Sequence, residues 1–169
     1  MVRLLPALLL LACASPSEPL PPPFPVATTC SVPRLGPVLL GYSADCSCVA
    51  GLYELAREVL AEHEVVPVAE PLAVATTWVH PAGMTLSGVS VGGGYSPPYD
   101  EHPELLQLDA SMDTLAHELV HAWRFRHGST WEQEMVHEGW DEPRGPLPSL
   151  REATRAFWAV KPVGALCAL

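Results

Sequence analysis

The chain has 169 residues, room for one ordinary domain. Nine Lys and Arg stand against 19 Asp and Glu, a formal charge of −10, and the cations are scattered rather than grouped. Nucleic acid is excluded as a partner on that ground, because phosphate binding needs clustered Lys and Arg.

At the N-terminus, Met1-Val2-Arg3 carries one positive charge, and Leu4 to Ala12 is an apolar run broken only by Pro6. That length suits the core of a signal peptide and falls short of the roughly 20 residues a membrane-spanning helix needs. Leu10-Leu11-Ala12-Cys13 resembles the lipobox of bacterial lipoproteins. The resemblance implies that Cys13 is lipidated, becomes the first residue of the mature protein and anchors it to a cell-envelope membrane. Ordinary cleavage around Ala12-Cys13-Ala14, leaving a secreted or periplasmic soluble protein, is the alternative. Residues 16–25 hold six prolines, and Pro33 and Pro37 follow. Such a composition excludes a helix or a central strand and favours an extended tether. The expected division is a signal peptide with lipobox over 1–13, a Pro-rich tether over 14–29 and a folded domain over 30–169.

Removing Cys13 from the five cysteines leaves Cys30, Cys46, Cys48 and Cys167. Four cysteines in an exported chain read as two disulfides. Cys46 and Cys48 are too close to bridge each other, so each reaches Cys30 or Cys167, in an order the spacing leaves open. A metal site on Cys46-Ser47-Cys48 is the competing reading, disfavoured because structural zinc sites use wider spacing.

Gly51 to Glu64 reads as an amphipathic helix, with Leu52, Leu55, Ala56, Val59 and Leu60 at helical spacing, closed by Pro67 and Pro71. Two β-rich stretches follow, Leu72 to Val79 and Met84 to Val91, joined through a Pro-Ala-Gly turn. Gly92 to Pro98 reads as a loop, and Leu105 to Leu108 as a short strand. From Ser111, an N-cap candidate, the pattern is helical to a stop at Gly128. Ser129-Thr130-Trp131-Glu132 fits a capping box that opens a second helix to about Gly139. Ser149 to Val160 is a last helix. The fold class expected is α+β.

The chemistry sits in His117-Glu118-Leu119-Val120-His121. Residues four apart on a helix share a face, with Cβ atoms about 5–6 Å apart, so both imidazoles can reach one metal ion at about 2.0–2.1 Å. Glu118, one residue past the first ligand, can take a proton from water activated by that metal. An accidental pattern on a surface helix is the bland alternative. Against it stand Met112, Ala116, Leu119, Val120 and Trp123, an apolar stripe that makes the helix largely buried, where His and Glu need partners.

Thr114 to Trp123 resembles the active-site helix of gluzincin metallopeptidases, including the aminopeptidase-N-like ones, and Val136-His137-Glu138-Gly139-Trp140 looks like their second motif. The resemblance covers roughly residues 105–140. It implies a small zincin-like domain with a mixed sheet, an N-terminal backing helix, an active-site helix and a following third-ligand helix. It also implies a Zn²⁺ cofactor held by His117, His121 and Glu138, with Glu118 as general base for hydrolysis of a peptide or protein substrate. His127 has the spacing of the third ligand in metzincins, but Arg124 stands where that family needs a Gly to turn, so the helix should run on and carry His127 away. Glu134, one turn before Glu138, either replaces it or holds a ligand His from behind. The substrate strand of such proteins corresponds to Leu105–Leu108 or Leu86–Val91, and Tyr95, Tyr99 and His137 are candidates to donate to the oxyanion. The five tryptophans are assigned to the core, and His63, His80 and His102 to no role. An endopeptidase is favoured over an aminopeptidase, since no separate module for a free N-terminus is visible. The competing readings are a catalytically inactive, metal-binding zincin-like lipoprotein acting as an interaction module, and a lipoprotein whose motif is fortuitous.

Overall fold

Hydrogen-bonding demands and apolar patterning give seven strands and four helices among the described residues. The structure, a computed structural model, describes residues 21–169 except 68, 71, 82–83, 87–88, 100–101, 137–147, 162–166 and 168–169. The expected lipid-anchor cysteine, Cys13, and the signal segment lie outside the described residues, as do most of the tether and Glu138.

The class is α+β, as composition and pattern suggest. Strands β1 (Thr28–Val32) and β2 (Gly36–Leu40) form an antiparallel hairpin, so strand pairing reaches two residues into the segment read as tether. Gly36 closes that hairpin at φ +114°, and a Cβ there would lie 2.7 Å from the Val74 carbonyl oxygen, so only glycine fits. The expectation that proline bars a central strand is corrected at Pro37. β2 lies between β1 and β3 (Thr76–Val79), yet its parallel pairing with β3 starts at Val38. Pro37 thus occupies the end of β2 where one side has no partner strand.

Helix α1 (Cys46–Glu62) starts five residues before its expected position, because the Asp45 carboxylate accepts from the Ser47 amide at 2.8 Å and caps it. Its buried face is Val49, Leu52, Tyr53, Ala56, Val59 and Leu60. Disulfides Cys30–Cys46 and Cys48–Cys167 resolve the pairing: one ties β1 to the start of α1, the other ties α1 to the chain end. Met84–Val91 is no partner of β3 but a separate hairpin, β4 (Met84–Leu86) with β5 (Val89–Val91).

The expected loop at Gly92–Pro98 contains a strand, β6 (Gly93–Ser96), paired antiparallel to β7 (Leu105–Leu108). Glycine disfavours strands by itself; cross-strand pairing and close packing override that preference. The main sheet runs β1-β2-β3-β7-β6, with β2, β3 and β7 parallel and the two outer strands antiparallel. β7, one of the two candidate substrate strands, is therefore internal, and β6 is the edge strand beside it.

Helix α2 (Leu115–Arg126) has Thr114 at its N-cap position, three residues later than the expected Ser111. Asp109 Oδ1 accepts from the Ser111 hydroxyl and from the amides of Ser111 and Met112, so residues 109–112 form a tight turn in place of a helical one. Met112, at φ +54°, drops its side chain into the core at 2% exposure. The capping box of α3 (Trp131–Met135) uses Thr130 and Gln133, one residue later than expected. α4 (Pro148–Val160) buries Leu150, Ala153 and Phe157 and packs on α1 and α2. Its Trp158 indole donates to the Asp113 carbonyl at 2.8 Å, holding the N-terminal approach to α2. Among the described residues no helix is long and apolar enough to cross a membrane.

Candidate metal centre

Leu115, Ala116, Leu119, Val120 and Ala122 of α2 are all fully buried, which fixes the helix rotation and leaves His117 and His121 on a shared face. Their ring centroids are 4.9 Å apart, edge to face. Both line a cleft of about 510 Å³ bounded by α2, the edge strand β6 and α3.

Glu118 lies in the same cleft at 5% exposure. Burial pushes its carboxyl up to about 8, because an ionised carboxylate loses its hydration there. Strand β6 presses on it: a Cβ on Gly93 would lie 2.2 Å from Thr114 Oγ1 and 2.9 Å from Glu118 Oε1. Gly93 is thus required by close approach, and any side chain there would displace the Glu118 carboxyl.

Behind His121 stands Glu134, at 1% exposure. Its Oε2 is 2.6 Å from His121 Nδ1, and Arg124 Nε lies 3.0 Å from Oε1. Burial alone would raise the Glu134 pKa, but hydrogen bonding from His121 and Ser129 and the Arg124 charge outweigh it and lower it. An ionised carboxylate on Nδ1 makes that nitrogen the donor and leaves Nε2 as the lone-pair nitrogen. Imidazoles that ligate metals are held by a carboxylate in this way. The donor set present, two imidazoles one turn apart with one of them so held and a buried carboxyl between them, fits a borderline-soft divalent cation such as zinc.

No family model, curated protein or solved structure matches this chain. Among the described residues no group of three or more His, Cys, Asp or Glu is arranged to hold a metal ion; Glu138, the expected third ligand, lies outside them. Of the two other candidates, Glu134 is engaged on the rear nitrogen of His121, the position of an orienting group. His127 ends α2 with its Nδ1 2.8 Å from the Trp123 carbonyl and Nε2 3.6 Å from Glu70, turned from the cleft. The helix does run through Arg124, whose guanidinium serves Glu134.

Two expectations about hydroxyl donors are corrected. Tyr95 lines the cleft but its hydroxyl donates to Glu104 Oε1 at 2.8 Å, and Arg126 closes on the same carboxylate at 2.7 Å. Burial and the Glu104 charge drive the Tyr95 pKa upward, so that hydroxyl is committed to fastening β6 to α2. Tyr99 is 58% exposed, bridged to His102 and outside the cleft lining. His137 lies outside the described residues. Not all tryptophans are core: Trp78 is buried, but Trp131 and Trp158 are 42% and 52% exposed. The cleft also contains Gln107, Trp131 and Met135, which no motif marks. Gln107 Oε1 is 3.2 Å from His80 Nε2, giving His80 a partner that its isolated position in the sequence did not suggest. Trp131, Glu134 and Met135 at spacings of three and four were the one available signal for a helix face on the cleft.

Proposed function

We propose that the protein is a zinc endopeptidase of an exported, lipid-anchored chain. The observation that carries this reading is the shared face of His117 and His121 on the cleft, with Glu118 buried beside them and Glu134 fixed behind His121. His117, His121 and Glu138 would hold the ion, and zinc at that place supplies a Lewis acid for the scissile carbonyl and acidifies water at neutral pH.

The chain's own residues do the rest. Glu118, in a cavity that keeps its carboxyl basic, accepts a proton at its carboxylate and returns it to the leaving amine. Glu134 and Arg124 hold the His121 ring and its tautomer. The outer edge of β6, with Gly93 and Gly94 bare of side chains, offers backbone N–H and C=O groups to an extended peptide. Among the described residues lining the cleft there is no Lys or Arg to pair with a free C-terminal carboxylate. Among those same described residues the two lining carboxylates, Glu118 and Glu134, are both buried, so neither is open to a free amino terminus. This supports cleavage inside a chain. The two disulfides are compatible with export, and the lipobox-like Leu10-Leu11-Ala12-Cys13 with the Pro-rich stretch after it supports a membrane tether.

The deciding experiment is metal content of the protein purified from an oxidising compartment, by mass spectrometry. About one zinc per chain, with peptide cleavage abolished by chelator and restored by zinc, supports the reading; a folded protein that takes up no zinc refutes it. The role of Glu134 has its own test: Glu134→Gln keeps the shape and removes the charge, and zinc affinity by chelator competition should fall about 10–100-fold.

A further inference from the structure

Helix α3 brings Trp131 and Met135 to the cleft beside Glu134. Glu134 is its inward residue, bound to His121 and Arg124. Trp131 and Met135, four apart and therefore on one face, are 42% and 59% exposed and line the cleft with His117, Glu118 and His121. Trp131 follows the N-cap directly, and the capping box anchors its backbone: the Thr130 amide donates to Gln133 Oε1 at 2.8 Å, and the Gln133 amide to Thr130 Oγ1 at 3.3 Å. Its ring therefore stands on a fixed base. Gly93 and Gly94 of the edge strand also line the cleft.

We propose that Trp131 and Met135 are the specificity-determining residues of the site, a shelf that takes a large apolar side chain, aromatic or leucine-like, next to the bond that is cut. This rests on the endopeptidase reading and names its substrate class: internal peptide segments carrying such a residue. The chemistry of the shelf favours it. An indole face and a thioether make contact with aromatic rings and flexible alkyl chains. No cation among the described lining residues would attract an acidic side chain, and the chain's net charge of −10 disfavours acidic peptides further.

The test uses the protein purified from cells expressing the full chain, loaded with zinc, and peptides blocked at both ends that carry a central phenylalanine or alanine. The ratio of kcat/KM for the phenylalanine over the alanine peptide is expected to be about tenfold or more, since hydrophobic pockets discriminate by roughly 10–200-fold. In Trp131→Ala and in Met135→Ala, both changes at exposed positions, that ratio should collapse toward unity. A ratio near one in the unaltered protein, or one unmoved by either substitution, overturns the shelf while leaving the peptidase standing. Binding supplies a readout independent of turnover: in zinc-loaded Glu118→Gln, calorimetry should find the phenylalanine peptide bound about tenfold tighter than the alanine peptide, and Trp131→Ala added to that variant should erase the difference. Equal binding of both peptides before that addition also overturns the shelf. Selective binding with no cleavage of any peptide by the unaltered protein keeps the shelf and removes the peptidase reading instead.

Discussion

Glu118→Gln is expected to lower peptide cleavage by about 10²–10⁴-fold while zinc content stays the same. The magnitude is that of a general base removed from its transition state; the specificity of the effect follows from position. Glu118 sits between the two imidazoles in sequence, while the His121 ring is held from behind by Glu134, itself paired with Arg124. Glutamine keeps the shape that Gly93 and Thr114 press against and gives up only the ability to accept a proton. Cleavage assays on zinc-loaded protein, with metal content measured on the same sample, separate the outcomes. Undiminished cleavage by the variant sinks the assigned mechanism, and a loss of zinc together with activity would move Glu118 from chemistry to metal binding.

The same substitution has a second expected consequence in chelated protein. Burial raises the Glu118 carboxyl to about 8 from an ordinary value near 4.5. A carboxyl raised on folding contributes stability that is fully present below its unfolded pKa and lost as pH climbs through the folded one. Glu118 should therefore cost the metal-free protein little at pH 4.5 and on the order of 4 kcal/mol at pH 8. Glutamine does not titrate, so the denaturation midpoints of Glu118→Gln and the unaltered chain should lie close together at pH 4.5 and separate toward pH 8, with the variant the more stable. Parallel curves across that range would mean that Glu118 is better solvated than its 5% exposure indicates. A destabilising charge kept at the centre of a cleft is the trade expected of a catalytic group.

The parts of this fold legible in the sequence are those in which local pattern and tertiary demand agree. Leu105–Leu108 reads as a strand and is one, and the helical stripe of Ala116, Leu119 and Val120 places His117 and His121 on the opposite side without any knowledge of the sheet. β6 was illegible because its backbone pairing comes from β7 and its glycines answer to the bulk of Thr114 and Glu118, both distant in sequence. The start of α2 was misplaced for a local reason: Ser111 has the right chemistry for an N-cap, but Asp109 two residues earlier captures its hydroxyl and amide first. In the site, metal-ligand spacing marks the imidazoles, and in the sequence Arg124 signals only that the helix continues rather than turns. Its partnership with Glu134 depends on the fold-back of α3, and no spacing rule reports that. Trp131 and Met135 carry the commonest signature of a core helix face, and only their exposure distinguishes a shelf from a core.

The largest stability effect is expected from removing the Cys48–Cys167 bridge by the double change to serine. It joins residues 119 apart, whereas Cys30–Cys46 spans 16. In the chain-entropy account a loop of about 100 residues is worth about 4.7 kcal/mol and one of about 15 residues about 3 kcal/mol, so the long bridge should be the more stabilising of the two. Position sharpens the contrast. Cys167 is 3% exposed, and its carbonyl accepts from the Asp45 amide at 2.8 Å beside the cap of α1. Without the bridge, the chain end that follows α4 is free to leave α1. Loosening it would also weaken the hold of Trp158 and Lys161 on the turn that leads into α2. Cys48→Ser/Cys167→Ser should therefore lower the unfolding midpoint by roughly ten degrees or more for a domain of this size, a larger loss than that of Cys30→Ser/Cys46→Ser. It should also lower zinc occupancy at temperatures where the domain is still folded. Equal losses from the two pairs would show that native packing at the chain end, rather than the length of the closed loop, sets what each bridge contributes. An unchanged zinc occupancy in the long-bridge variant would show that α2 and its imidazoles stand without the clamp from α4.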